Sequence, residues 1–121
     1  MKLVGSLTSP FVRKVRIVLS EKRIVYDFDV DIPWESETRV AEHNPLGKVP
    51  ILIMGDGTTL YDSRVIVDYL DSANPVSRLI PEFNRERSMV KRWEALADGI
   101  SDAAAAIFLE RKRPDSLQRT E

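Results

Sequence analysis

Three short segments carry the residues best suited to chemistry: Thr8–Phe11, Gly47–Pro50 and Tyr61–Ser63. Serine followed by proline at Ser9, and aspartate followed by serine at Asp62, are both typical of a helix start. The first backbone N–H groups of a helix have no intrahelical partner, and the helix dipole is positive there. Both segments are therefore predicted to favour an anionic group.

The elements that would position these segments follow from the spacing of apolar residues. A short strand precedes Ser9, and apolar residues at helical spacing then predict a helix that ends near Lys22. The later elements are a strand over Val25–Val30, a short helix after Ser36, strands over Pro50–Met54 and Thr58–Tyr61 around a Gly-Asp-Gly turn, and a helix from Asp62-Ser63 to Asn74. The order β-α-β-α-β-β-α is that of a thioredoxin-like α/β domain.

The second half of the chain reads differently. Residues 1–75 form the predicted α/β domain, residues 76–84 a linker, and residues 85–121 the start of an all-α domain. A long amphipathic helix is predicted over Arg85–Arg111, before Pro114. One helix cannot bury its apolar stripe alone, so we expect this second domain to be incomplete or to need a partner chain.

Composition excludes several classes of function. The chain has 121 residues, 43% hydrophobic and 31% charged, with a net charge of -1. Because cysteine is absent, disulfides, cysteine-metal sites and thiol–disulfide exchange by the protein are excluded. No basic excess predicts nucleic-acid binding, and no apolar run predicts a membrane span. With no convincing signal peptide, a cytoplasmic protein is expected.

The one histidine, His43, does not predict a metal site, because no cluster of metal-ligating residues accompanies it. A surface or loop position is favoured, and a place in the lining of a ligand site is the alternative. No metal is therefore expected.

The motifs resemble those of the cytosolic glutathione S-transferases, including bacterial glutathione S-transferase-like proteins. The matching stretches are SPFVRKVRIVL (Ser9–Leu19), NPLGKVPIL (Asn44–Leu52), the pair Asp62-Ser63, and RWEALADGISDA (Arg92–Ala103). The resemblance implies a thioredoxin-like glutathione-binding domain followed by the first helix of that family's all-helical C-terminal domain.

The resemblance also implies a role for each segment. Ser9, with Thr8 as the fallback, would stabilise a glutathione thiolate, since a cysteine type is excluded and Leu7 stands where a tyrosine would be needed. The glutathione-binding residues would be Phe11, Lys48, Val49, Pro50, Asp62 and Ser63. A cis bond before Pro50 would turn the Val49 backbone towards the tripeptide, and Lys48 would reach the glycine carboxylate. Ser63 would bind the γ-glutamyl carboxylate and Asp62 its ammonium group.

Each of these residues also has a purely structural interpretation. Ser9 and Asp62-Ser63 could be ordinary helix caps, Pro50 could begin an edge strand, and Lys48 could be a solvated surface lysine. Asp62 stands where many relatives have the longer glutamate, so its reach towards a ligand is shorter.

The expected function is that of a serine-type glutathione transferase in detoxification, with glutathione as co-substrate and a small electrophile that the sequence does not identify. Two alternatives stay open: a non-catalytic adaptor that binds a protein partner, and a glutathione-dependent isomerase or dehalogenase. Binding without turnover is open too, since most of the electrophile pocket is expected in the helical domain. A homodimer through the third and fourth helices is implied, in which Arg64 could meet the acidic Glu94, Asp98 and Asp102.

Overall fold

The computed structural model describes residues 1–119. Its contacts divide the chain into two compact units, residues 1–80 and the part from Pro81 onward. The functional division into residues 1–75, 76–84 and 85–121 stays a prediction, and its last two residues lie outside the described part of the chain.

The elements of the first unit follow one another in the predicted order. They are β1 (Lys2–Gly5), α1 (Pro10–Glu21), β2 (Asp27–Val30), α2 (Val40–His43), β3 (Ile51–Ile53), β4 (Thr59–Leu60) and α3 (Ser63–Ala73). The α/β fold class is confirmed.

The four strands form one mixed sheet in the order β2-β1-β3-β4. β1 pairs in parallel with β2 and antiparallel with β3, and β3 pairs antiparallel with β4. Val4 of β1 clusters with Val40 and Ile51, so α2 covers the face that carries Val4. A Cβ added at Gly5 would meet Val12 of α1. The other face is therefore covered by α1, against which α3 packs.

The predicted start of β2 is wrong, for a physical reason. β2 begins at Asp27 rather than Val25, because Asp27 is the first residue opposite β1 and Val25 is 93% exposed. The short helix predicted after Ser36 is confirmed as α2, which begins at Val40. The Asp31 carboxylate accepts hydrogen bonds from the Thr38 hydroxyl (2.6 Å) and the Arg39 N–H (3.0 Å), which holds the preceding residues as a loop.

A buried ion pair joins the C-terminal ends of α1 and α3. The Lys22 ammonium lies 2.7 Å from an Asp71 carboxylate oxygen and 2.7 Å from the Asn74 carbonyl oxygen, and both charged side chains are almost fully buried. The same carboxylate accepts hydrogen bonds from the N–H groups of Leu79 and Ile80, each at 2.8 Å. The pair therefore fastens the segment after α3 to both helices.

We expect stability to fall in acid because of Asp71. Burial works to raise the pKa of this carboxyl group, but the bonds from Lys22, Leu79 and Ile80 outweigh it and hold the pKa below its usual value. A depressed folded-state pKa contributes stability above the unfolded value of about 3.9, and this is lost as pH falls through the folded value. Denaturant unfolding between pH 7 and pH 3 measures the loss. Asp71→Asn should flatten the curve, whereas Asp102→Asn, on the exposed surface, should leave its slope unchanged.

Gly5 leaves no room for a side chain where β1 meets α1. An added Cβ would lie 2.5 Å from one methyl carbon of Val12 and 2.8 Å from the other. Gly5→Ala should therefore lower the free energy of unfolding by about 1–3 kcal/mol, since a β-branched valine cannot move aside. Gly99→Ala is the matched control: it meets nothing within 4 Å in a helix and should stabilise slightly. Equal denaturation midpoints for the two variants would contradict this account of the packing.

The second unit consists mainly of α4 (Asn84–Arg111), followed by a 3₁₀ turn over Asp115–Leu117. No residue of α4 is buried. Glu94, predicted to lie on a solvated acidic face, is instead paired with Lys91 at 2.5 Å. Within residues 1–119, no helix is long and apolar enough to cross a membrane. The large apolar side chains exposed on α4 are Met89, Trp93, Leu96, Ile100, Ile107, Phe108 and Leu109.

Candidate functional site

The first predicted segment forms the start of α1. Ser9 is the N-cap in extended conformation, its Oγ accepts a hydrogen bond from the Val12 N–H at 3.3 Å, and Pro10 is the first helical residue. Thr8 is exposed, whereas Phe11 is half-buried. Because the cap uses Ser9 Oγ as an acceptor, its O–H remains available to donate to a ligand. The cap and donor interpretations of Ser9 are therefore compatible.

The second segment is a loop held by Asn44. Its side-chain amide donates to the Lys48 carbonyl at 3.0 Å, and its side-chain oxygen accepts from the Leu46 N–H at 2.9 Å. Gly47 has a φ of 66°, in the left-handed region that favours glycine. The Val49–Pro50 peptide bond is cis, as predicted. Lys48 is exposed, and the Val49 backbone forms no hydrogen bond with another described residue.

The third segment forms the start of α3. Asp62 is the N-cap: one carboxylate oxygen accepts from the Arg64 N–H and the other lies 3.0 Å from an Arg64 guanidinium nitrogen. The hydrogen bond from the Arg64 side chain is the largest influence that lowers the pKa of Asp62, and Lys14 contributes in the same direction. Ser63 is only 3% exposed, and its hydroxyl forms no hydrogen bond with another described residue. A second cis bond, Tyr61–Asp62, was not predicted.

The sheet register brings the three segments to one end of the sheet. Val4, near the end of β1, lies opposite Ile51 at the start of antiparallel β3. Leu60, the last residue of β4, pairs with Leu52 near that same start. The chain therefore leaves β1 towards Ser9, enters β3 from Pro50 and leaves β4 towards Asp62 at one end of three adjacent strands. The predicted site residues are thus neighbours, while their chemical roles stay predictions.

The sequence also suggested possible roles for two other residues, His43 and Arg64. His43 is the half-buried last residue of α2, where its carbonyl accepts the Thr59 hydroxyl at 3.1 Å. No group of three or more metal-ligating side chains occurs within residues 1–119. Arg64, considered as a partner for acidic residues of α4, forms its ion pair with Asp62 at the start of its own helix.

Sequence reasoning missed two polar residues near this end of the sheet. Asn44 was predicted as part of a turn, but its buried side chain also holds the loop before Val49. Asparagine beside proline and glycine is typical of side chains that bond to nearby backbone, so this contact had a sequence signal. Ser6 follows β1, is 3% exposed, and has a hydroxyl without a hydrogen-bond partner among the described residues. Nothing in the sequence distinguishes Ser6 from a solvated serine.

The fold is shared with known proteins. The family model described as "Glutathione S-transferase, N-terminal domain" matches residues 3–78, and the chain belongs to the glutathione S-transferase family. The resemblance found in the sequence is thereby confirmed.

Particular relatives match almost the whole chain. The GST-like protein YibF of Escherichia coli K12 is 44% identical over 118 residues, which are 98% of this chain and 58% of that protein. A stringent starvation protein A homolog of Pasteurella multocida is 32% identical, over 97% of this chain and 60% of that protein. The solved glutathione S-transferase of Methylobacillus flagellatus with glutathione bound is 53% identical, with a TM-score of 0.92 over 98% of this chain and 59% of its own. The chain thus spans about three fifths of these relatives.

Proposed function

We propose that this chain binds glutathione at the end of the sheet where α1, β3 and α3 begin. The observation that carries the proposal is the register, which brings two helix N-termini and the Val49 loop together. The crystallised relatives from Methylobacillus flagellatus and Methylobacterium radiotolerans, the latter at 36% identity, hold glutathione and glutathione sulfonate respectively. Residues 1–75 would form the binding domain and residues 85–121 the opening of the helical domain.

The charges at the site complement those of the tripeptide. Glutathione carries two carboxylates and one ammonium group at neutral pH. The N–H groups and hydroxyl at Ser63 suit the γ-glutamyl carboxylate, because a helix N-terminus favours an anion, and Asp62 would accept from the ammonium group. Exposed Lys48 would reach the glycine carboxylate. The Val49 N–H and C=O make no hydrogen bond to another described residue. They would form hydrogen bonds with the peptide backbone of glutathione, next to Pro50 and Phe11.

Ser9 is the proposed donor to the glutathione sulfur. A cysteine thiol with a pKa of about 8.5 is only a few per cent ionised at neutral pH. The Ser9 O–H and the positive end of α1 would both stabilise the thiolate relative to the thiol. Thr8, exposed one residue earlier, is the alternative donor. The thiolate would attack a small electrophile, forming a carbon–sulfur bond with departure of a leaving group or addition to an activated double bond.

Ser63→Ala should weaken glutathione binding about tenfold. The Ser63 hydroxyl is the only side-chain donor proposed for the γ-glutamyl carboxylate, and a hydrogen bond to a charged group contributes about 1.5–3 kcal/mol. Calorimetric titration with glutathione measures the change. Ser72→Ala, on the exposed side of the same helix, is the control and should bind as the unaltered chain does. Equal affinities of the Ser63 and Ser72 variants for glutathione would show that Ser63 does not contribute to binding. The absence of glutathione binding by the unaltered chain would overturn the proposal.

A second candidate is a non-catalytic adaptor, because one relative, at 32% identity, is named a stringent starvation protein A homolog and not a transferase. An assay with glutathione and a general electrophile separates the two: affinity without turnover in a chain that includes the whole helical domain would favour the adaptor. An isomerase or dehalogenase would use the same site and would be recognised by its substrates. The cytoplasmic location, detoxification role and homodimer through α3 and α4 belong to the transferase proposal, and sedimentation tests the dimer.

A further inference from the structure

The outer edge of β2 is open to pairing. β2 is the first strand in the sheet order, and the N–H groups of Asp27 and Asp31 donate to carbonyl groups at β1 at 3.1 and 3.0 Å. Bonds in a parallel ladder engage alternate residues, so the backbone groups of Phe28 and Val30 point away from β1. Neither residue forms a backbone hydrogen bond on that side within residues 1–119. Two donors and two acceptors thus lie in line for another strand.

The side chains of β2 differ sharply between the two faces of the sheet. Asp27 and Asp29 lie opposite Lys2 and Val4, on the face that α2 covers, and both aspartates are exposed. Phe28 and Val30 lie on the α1 face, where the Arg16 guanidinium stacks 5.2 Å from the Phe28 ring centre and Val30 is 57% exposed. The edge is therefore acidic on one face and mainly apolar on the other.

A cavity adjoins the acidic face of this edge. It has a volume of about 410 Å³, and acidic side chains of β2 and the following loop line it together with Lys2 and Arg39. Arg39 is paired with Glu42 at 3.0 Å. Glu35 and Glu37 also line the cavity and form no ion pair with another described residue, while the Asp29 carboxylate is attracted by Arg39 without forming an ion pair with it. The cavity has room and negative charge for a long basic side chain entering beside Asp29.

We propose that the β2 edge is a docking surface for an extended segment of a partner protein in which basic and apolar residues alternate. The segment adds as a further strand, pairs with the backbone of Phe28 and Val30, and sets its basic side chains beside Asp27 and Asp29. Its apolar side chains then lie beside Phe28 and Val30 on the other face. Strand addition of this kind takes affinity from main-chain bonds and specificity from alternate side chains.

Charge complementarity selects this occupant over a second copy of the chain. Two β2 edges brought together would oppose aspartate rows, and like charges directly opposite each other are destabilising. An acidic segment meets the same repulsion. Charged side chains also protect edge strands from non-specific pairing, so the test must distinguish protection from selective docking.

The probe is a capped six-residue peptide that alternates lysine and valine, titrated into the whole chain at low ionic strength. Matched probes are a peptide of the same composition in two blocks and one that alternates glutamate and valine. Amide exchange at Phe28 and Val30 reports pairing, and calorimetry reports affinity. We expect the alternating basic peptide alone to slow exchange at both amides. Asp29→Lys should weaken its binding about five- to tenfold, as for the reversal of a cross-strand charge pair, while Asp102→Lys on α4 should not.

Three results would overturn the docking surface. The first is unchanged exchange at Phe28 and Val30 with millimolar alternating peptide, which would leave the aspartates a protective role only. The second is equal binding of the block or acidic peptide, or equal binding by the Asp29→Lys variant. The third is concentration-dependent protection of the two amides without peptide, which would make a second copy of the chain the occupant.

Discussion

We expect Asp71→Ala to lower the free energy of unfolding by about 3–5 kcal/mol, the largest stability change of any substitution proposed for this chain. The alanine would leave the Lys22 ammonium buried without its counter-charge, and breaking a buried pair by removing one partner typically costs that much. It would also remove the acceptor for the Leu79 and Ile80 N–H groups. Urea denaturation followed by circular dichroism measures the change.

Two further variants separate the buried charge from simple loss of contacts. Ser72→Ala, next in sequence but exposed, should change stability by less than about 0.5 kcal/mol. The double variant Lys22→Met with Asp71→Leu removes both charges and should recover much of the loss, because apolar replacements of a buried pair are often neutral. If the double variant were as unstable as Asp71→Ala, the buried charge would not be the cause.

Ser9→Ala should lower the rate of glutathione conjugation at neutral pH about ten- to a hundredfold in a chain that includes the whole helical domain. Loss of the O–H donor raises the pKa of the bound thiol, and a rise of one to two units lowers the thiolate fraction by that factor at an assay pH below the thiol pKa. The pH midpoint of kcat/KM should move upward, while calorimetric affinity for glutathione changes little. Stability should fall by about 1 kcal/mol, because the cap bond to Val12 is also lost.

Ser9→Thr keeps both a hydroxyl and a cap acceptor and should retain most of the activity. Thr8→Ala is the matched control, since Thr8 is one residue away and exposed. If Thr8→Ala moved the pH midpoint and Ser9→Ala did not, the donor would be Thr8. An unchanged pH midpoint in both variants would show that neither hydroxyl donates a hydrogen bond to the thiolate.

The parts of the fold that the sequence predicts are those with strong local signals. Ser9-Pro10 marks the start of α1 and Asp62-Ser63 the start of α3, because cap residues and an N1 proline act over one helical turn. The Gly55-Asp56-Gly57 turn lies between two antiparallel strands, as predicted, because the conformation of a tight hairpin turn also depends on its own residues. The prediction of a cis bond before Pro50 came from the family resemblance, since the neighbouring residues alone do not distinguish a cis proline from a proline that begins an edge strand.

The parts that could not be predicted depend on residues far apart in sequence. A lysine near a helix end is normally solvated, yet Lys22 is buried because it pairs with Asp71. Asp71 lies 49 residues later in the sequence, so no local pattern predicts the pair. Lys91 and Glu94 are three residues apart, a spacing at which opposite charges pair on a helix. This pair could have been predicted from the sequence, but the prediction of an acidic face did not include Lys91. The unpartnered hydroxyls of Ser6 and Ser63 depend on burial by neighbouring elements, so no local pattern reveals them.

The uncovered apolar side chains of α4 determine how the chain must be handled in solution. Trp93, Ile100 and Phe108 are each about half exposed or more, and contiguous apolar patches are aggregation liabilities. If molecules of the chain associate through these side chains, the apparent affinity for a ligand depends on the protein concentration used in the titration. Apolar association weakens on cooling, so light scattering across a dilution series at low temperature defines the monodisperse range in which binding data can be interpreted.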